Sequence, residues 1–181
     1  MSVRTKVWTR DEYDRLAAAG AFHPEAHVQL IQGEIVEITP QSAAHAAAVE
    51  LVQGALQALG SAYRVRVQLP LALGADSEPE PDLAVVTGSP RTRADHHPAT
   101  AILVVEVADT TLDFDRTRKQ AIYAQAEIPE YWILNLVNRL LEVYREPQES
   151  AYRATLRLTP GESIAPLAAP AVQIKVSELL P

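Results

Sequence analysis

Two acids interrupt apolar runs of this chain where a buried strand ordinarily carries none. Asp82 opens the run Asp82-Leu83-Ala84-Val85-Val86, and Glu106 sits inside the run from Ile102 to Val107. Thirteen residues after Glu106 comes Lys119, in a stretch with helical periodicity. Two carboxylates and a lysine on neighbouring buried elements have the chemistry of metal-dependent phosphodiester hydrolysis. Carboxylates suit a hard divalent cation, which prefers oxygen ligands. The cation activates water and offsets charge on a non-bridging oxygen. A lysine beside it can orient or deprotonate the attacking water and stabilise the anionic transition state. The separation of 24 positions from Asp82 to Glu106 leaves room for a strand, a loop and a neighbouring strand.

The run from Ile102 to Val107 is rich in β-branched residues, as a strand covered on both faces should be. Ile102, Val104 and Glu106 share one face of it. An unpaired carboxylate there is costly or has its pKa pushed up. A hydrogen-bond network, a cation or an opening onto solvent must offset that cost. Asp113 to Ala126 reads as a helix. Steps of ~100° per residue put Phe114, Ile122, Tyr123 and Ala126 on one side, and Arg116, Thr117, Gln120 and Ala124 on the other. Asp115 and Lys119 fall among the apolar residues. An i,i+4 surface pair, worth ~0.3–0.5 kcal/mol, is one account of them. A lysine turned inward toward the acids is the other.

The elements that must position these groups can be read in order. Thr9-Arg10-Asp11-Glu12 is a capping box, with a helix expected to about Ala19 and Gly20 stopping it. Val28 to Ile38 reads as a hairpin turning at Gln32-Gly33, with Pro40 ending the second strand. Ser42 suits the N-cap of a helix from Ala43 to Leu59, buried along Val49, Val52, Leu56 and Leu59. Extending that stripe back reaches His45, which either packs with one nitrogen satisfied or points into a site. From Tyr63 to Leu73 the pattern alternates, with Arg64, Arg66 and Gln68 on the polar face. Those arginines either meet solvent or touch phosphate, and Pro70 suggests a sheet edge or the strand's end. The loop Gly88 to Thr100 carries Arg91, Arg93, His96 and His97. It is either a solvated loop or a clamp for a polyanion. Tyr131 to Leu136 reads as another buried strand. The remainder reads as short antiparallel strands completing a sheet edge or a dimer surface.

With 181 residues, one domain spanning 1–181 is expected. There are no cysteines, so disulfides and thiolate metal sites are excluded. The opening residues hold no apolar signal region, and no run approaches the ~20 apolar residues of a membrane span. A soluble, cytoplasmic protein without membrane contact is expected. A net charge of -7 argues against a strong nonspecific nucleic-acid binder. It leaves room for an acidic metal site, since bound cations cancel part of that charge. No GxxxxGK[ST] or GxGxxG loop is present.

Asp82 preceded by Pro81, followed by Glu106 in a β-branched strand, resembles the PD-(D/E)XK nuclease superfamily. More closely, the chain resembles the Uma family of restriction endonucleases. The matching pieces are QLIQGEIVEITP, the helix beginning near His45, EPDLAVV, LVVEV, the Asp115–Lys119–Tyr123 spacing and IPEYWILN. Together they cover most of residues 9 to 140. The resemblance implies an α/β fold, a central mixed sheet flanked by helices with extra antiparallel strands. It implies one Mg²⁺ or Mn²⁺ and DNA as substrate. Asp82 and Glu106 would be metal ligands, with the Val107 carbonyl a further one. Lys119 would be the catalytic lysine, moved from the usual place two residues after the acid, where this chain has Ala108. Glu34, His45, Asp115, Tyr123, Arg91 and Arg93 would support the site or substrate. The family usually has an acid at Gln29, Ser-Pro at Asp109-Thr110 and glycine near Glu127. The second of these departures makes Asp109 a candidate extra ligand.

Three readings remain open at this level. One is a Mg²⁺- or Mn²⁺-dependent DNA endonuclease, expected as a homo-oligomer, specifically a dimer. Another is a non-catalytic dimeric binding or regulatory module on the same scaffold. A metal hydrolase acting on a smaller phosphoester is a third.

Overall fold

The computed structural model describes residues 3–38 and 41–181, so the strand-ending role expected of Pro40 lies outside the described residues. Helix α1 (Arg10–Ala18) starts at the expected capping box: the Thr9 hydroxyl accepts from the Glu12 amide, and the Glu12 carboxylate accepts from the Thr9 amide. Strands β1 (Val28–Ile31) and β2 (Glu34–Glu37) form the hairpin, with Gln32 at φ 51° and Gly33 at φ 74°. Positive φ at both turn residues matches the right-handed twist of the strands. A side chain at Gly33 would also meet Val7 and the Trp8 backbone.

Helix α2 (Ala43–Leu56) begins at Ser42, whose hydroxyl accepts from the His45 amide. A 3₁₀ turn, Gln57–Leu59, completes the predicted span. The central sheet has six strands: β3 (Tyr63–Val67), β4 (Leu83–Thr87), β5 (Leu103–Ala108), β6 (Glu130–Asn135), β7 (Leu140–Gln148) and β8 (Ala151–Leu158), adjacent in that order. Only β5 and β6 run parallel. The expected mixed α/β architecture is therefore present. Strand β3 lies at one edge, as Pro70 suggested, but it stops at Val67 because Gln68 turns to φ 50°. The late strands do more than finish an edge: β7 and β8 extend the central sheet itself, and only β9 (Ser163–Ile164) and β10 (Ile174–Lys175) pair apart.

The two sheet faces are filled differently. On one, α2 packs Val49, Val52 and Leu56 onto Val85, Val105 and Trp132, with the C-terminal Val176 and Leu179 closing the layer. On the other, Ile122 and Tyr123 pack against Val104, Ile133 and three tyrosines, Tyr131, Tyr144 and Tyr152. The connection from β5 to β6 is one helical rod: α3 (Leu112–Phe114), a π-helical stretch (Asp115–Lys119) and α4 (Gln120–Gln125). The Gln120 amide reaches back to the Asp115 carbonyl, and the Tyr131 hydroxyl donates to that carbonyl at 3.1 Å. The π stretch shifts the phase of everything after it. Ala124, placed on the polar side by ideal phasing, is buried, and Ala126 is only half-buried. The rod ends at Glu127, whose φ of 54° is a left-handed position that glycine occupies without strain.

Candidate active site

Asp82 and Glu106 come together because β4 and β5 pair antiparallel with Leu83 opposite Val105. One residue further, the two acids stand on the same face at the same end of neighbouring strands. The Asp82 amide approaches Glu106 Oε2 at 3.4 Å. Lys119 arrives from the π stretch and places Nζ 2.9 Å from Glu106 Oε1 and 3.9 Å from Asp115 Oδ1. All four groups are buried: Asp82 is 8% exposed, Glu106 2%, Asp115 2% and Lys119 6%. Lysine 119 is thus turned inward. It is no surface partner of Asp115. Together they wall an open cleft of about 700 Å³.

Other groups orient these acids. Asp82 Oδ2 accepts from the Val107 amide at 2.8 Å and lies 3.1 Å from His45 Nε2. Tyr123 donates to Glu106 Oε1 at 2.6 Å, and Thr111 to Asp115 Oδ2 at 2.6 Å. Asp109 also lines the cleft, where its carboxylate accepts from the Ser42 hydroxyl and the Thr110 amide. Its work is to tie the α2 cap, and so His45, to the end of β5.

The electrostatics follow from burial with too few cations. Burial pushes the Glu106 carboxyl up to about 7, with Lys119 opposing and Asp82 and Asp115 adding to the shift. Burial also raises Asp115, again against Lys119. Burial alone would raise Asp82, but the His45 hydrogen bond and the Lys119 charge hold it below the usual range. Burial would lower His45 and Lys119, yet the surrounding carboxylates outweigh it and raise both.

Each acid keeps one oxygen in reserve. Among the described residues, Asp82 Oδ1 has only Gln68 at 3.4 Å, and Glu106 Oε2 only the Asp82 amide at 3.4 Å. Among the described residues, no three histidine, cysteine or carboxylate groups form a ready-made metal cage. Two hard oxygen donors beside surplus negative charge nevertheless fit a cation such as Mg²⁺, which takes one or two carboxylates and fills its other positions from substrate and solvent.

Of the remaining predicted residues, His45, Val107 and Asp115 line the cleft and Tyr123 supports it from behind. Glu34 does not: its carboxylate is 2.6 Å from Arg118 on the rim of the hairpin. Arg91 and Arg93 also lie outside the cleft, because their loop leaves β4 at the end away from Asp82. Gln68, Glu80 and His27 line it and escaped the sequence reading. For Glu80 the signal was present in the Glu78-Pro79-Glu80-Pro81-Asp82 alternation, which puts the acids on one side of the segment.

A six-stranded mixed sheet with its acids at one strand end is a nuclease-like fold. A solved structure shares it, described as "a putative nuclease belonging to DUF820" from Anabaena variabilis ATCC 29413. The two are 17% identical, with a TM-score of 0.70 over 94% of this chain and 96% of that one. Residues 10–177 match the Uma2 family, described as "Putative restriction endonuclease", and the chain belongs to that family. No curated protein matches significantly. No helix among the described residues is long and apolar enough to cross a membrane.

Proposed function

We propose that the protein is a Mg²⁺- or Mn²⁺-dependent endonuclease hydrolysing phosphodiester bonds of DNA. The observation that carries this reading is the convergence of Asp82, Glu106 and Lys119 in one cleft, with one carboxylate oxygen of each acid uncommitted. Asp82, Glu106 and the Val107 carbonyl would hold the cation, which supplies positive charge and Lewis acidity to the phosphodiester when bound. Tyr123 and Lys119 fix the Glu106 carboxylate, while the Val107 amide and His45 fix that of Asp82. This preorganisation keeps the free oxygens aimed before substrate arrives. The Lys119 ammonium, held by the acids, orients a water molecule or a phosphoryl oxygen in the cleft.

Cleavage of plasmid DNA with Mg²⁺ or Mn²⁺ tests the assignment. Asp82→Ala and Glu106→Ala should each lower the rate by about 10³-fold or more, the order lost with a key electrostatic group. Circular dichroism should show the fold retained. Metal-dependent cutting that survives both changes would sink the assignment. Calorimetry without heat at millimolar Mg²⁺, together with no cleavage, would instead favour a non-catalytic binding module.

A further inference from the structure

A second cluster of charged groups stands on the same sheet face as the acids, one step along the strands. In the pairing of β3, β4 and β5, Arg66 is opposite Ala84, and Ala84 opposite Val104. The next row on that face contains Asp82 and Glu106. Diagonal neighbours of this kind are about 7–8 Å apart at the backbone. Arg66 therefore adjoins the cleft without lining it.

The loop after β4 supplies the rest. It doubles back on the edge of the sheet: the Pro98 carbonyl accepts from the Ala72 amide at 2.8 Å, and Arg66 Nη2 donates to the Pro70 carbonyl at 3.1 Å. The same loop carries Arg93, whose Nη2 donates to the Gly88 carbonyl at 3.4 Å, and His97, next to Pro98. Burial lowers the pKa of Arg66, and the charge of Arg93 acts in the same direction. Burial also lowers the pKa of His97, and Arg66 and Arg10 act on it in the same direction.

The guanidiniums of Arg66 and Arg93 are only partly satisfied. Nε of Arg66, Nε and Nη1 of Arg93 and Nε of Arg10 are buried without a hydrogen-bond partner among the described residues. No carboxylate pairs with any of the three there. Asp14 acts on His97 and Arg10 on Glu78, but only at a distance. Three other arginines do meet acids: Arg116 with Glu142, Arg118 with Glu34, Arg145 with Glu130. A guanidinium cannot shed its proton, and a buried donor left unmade is costly.

We propose that Arg66 and Arg93, flanked by His97 and Arg10, form a phosphate-binding subsite that grips the sugar–phosphate backbone of a nucleic-acid strand beside the cleft. The anion site stands on the unpaired donors; the identity of its occupant as nucleic acid rests on the nuclease reading. Planar guanidiniums match phosphate oxygens in pairs, and phosphate contacts position a strand without reading its sequence. The subsite also answers how a chain of net charge -7 can hold a polyanion: the positive charge is local.

The test is binding without cleavage, in EDTA, so that its failure is separable from a failure of the metal site. Anisotropy of a labelled DNA duplex is followed against salt for the wild type, Arg66→Gln/Arg93→Gln and, as a control, Arg153→Gln, an exposed arginine of β8 at the opposite edge of the sheet. The double variant should bind at least ~10-fold more weakly, with a salt slope shallower by about 0.9 for each lost phosphate contact. The control should bind with the wild-type slope. In parallel, inorganic phosphate should raise the melting temperature of the wild type and not of the double variant. Arg66→Lys/Arg93→Lys, which keeps charge and loses the fork, should fall between them and guards against a folding defect. Unchanged DNA affinity and slope in a folded double variant would overturn the proposal. So would a phosphate response lost in the variant with DNA binding intact, since the site would then serve a free anion.

Discussion

The molecule buries two sets of acids, and only one set is provided for. Glu130 accepts from Trp132, twice from Arg145 and from the Leu167 amide. Glu142 accepts from Arg116 through both oxygens, and from Asn135 and Tyr144. Burial alone would raise the pKa of Glu142, but those hydrogen bonds hold it below the usual range. Each of these acids has its own arginine and no oxygen to spare. In the cleft, Asp82, Glu106 and Asp115 share one lysine, and Asp82 and Glu106 each retain a loosely held oxygen. An acid buried in a strand is therefore no sign of chemistry by itself. Unused coordination is the better sign.

That contrast can be broken from either side. The largest stability effect is expected at the satisfied acids. Glu142→Ala leaves the buried Asn135 and Tyr144 without their acceptor, and should cost ~1–3 kcal/mol for each in denaturant melts. A change below ~1 kcal/mol would show that the two sets are not energetically distinct. In the cleft the penalty should fall on rate. Lys119→Gln should lower DNA cleavage by about 10²–10³-fold, or roughly 2.7–4 kcal/mol of barrier. Added Mg²⁺ should raise its melting temperature, because a cation replaces the missing ammonium among the carboxylates.

The smallest effect concerns a third situation, an acid buried, among the described residues, with neither a side-chain partner nor an assigned role. Burial pushes the Glu78 carboxyl up to about 7, with Asp14 adding and Arg10 opposing. A folded pKa above the unfolded one gives stability that is present below the unfolded value of 4.5 and lost as pH rises through about 7. Thermal melts should show the wild type losing stability relative to Glu78→Gln between pH 4.5 and 7.5, a window spanning both values. A pH-independent gap between the two proteins would remove Glu78 from this account.

Much of the scaffold followed from short-range chemistry. The Thr9–Glu12 box, the Ser42 cap, the Gln32-Gly33 turn and the β-branched run ending in Glu106 each depend on residues within a few positions of one another. Such features survive in sequence because sterics and local hydrogen bonds decide them. The same logic picked out Asp82, Glu106 and Lys119, through apolar runs that tolerate acids poorly.

It could not tell Glu106 from Glu130 or Glu142, since all three sit in apolar strands and only their distant partners differ. Arg116 reaches Glu142 across 26 residues, and His45 reaches Asp82 across 37. Nor did ideal helical phasing foresee the π stretch, which closes through the Tyr131 hydroxyl on the next strand. Arg66 and Arg93 read as solvated or as phosphate ligands, and pairing of β3 with β4 set the place of Arg66 on the face of the acids. Periodicity fixes which side of its own element a residue occupies. Which residue answers it there, or whether none does, depends on contacts between elements, and those exist only once the sheet has assembled.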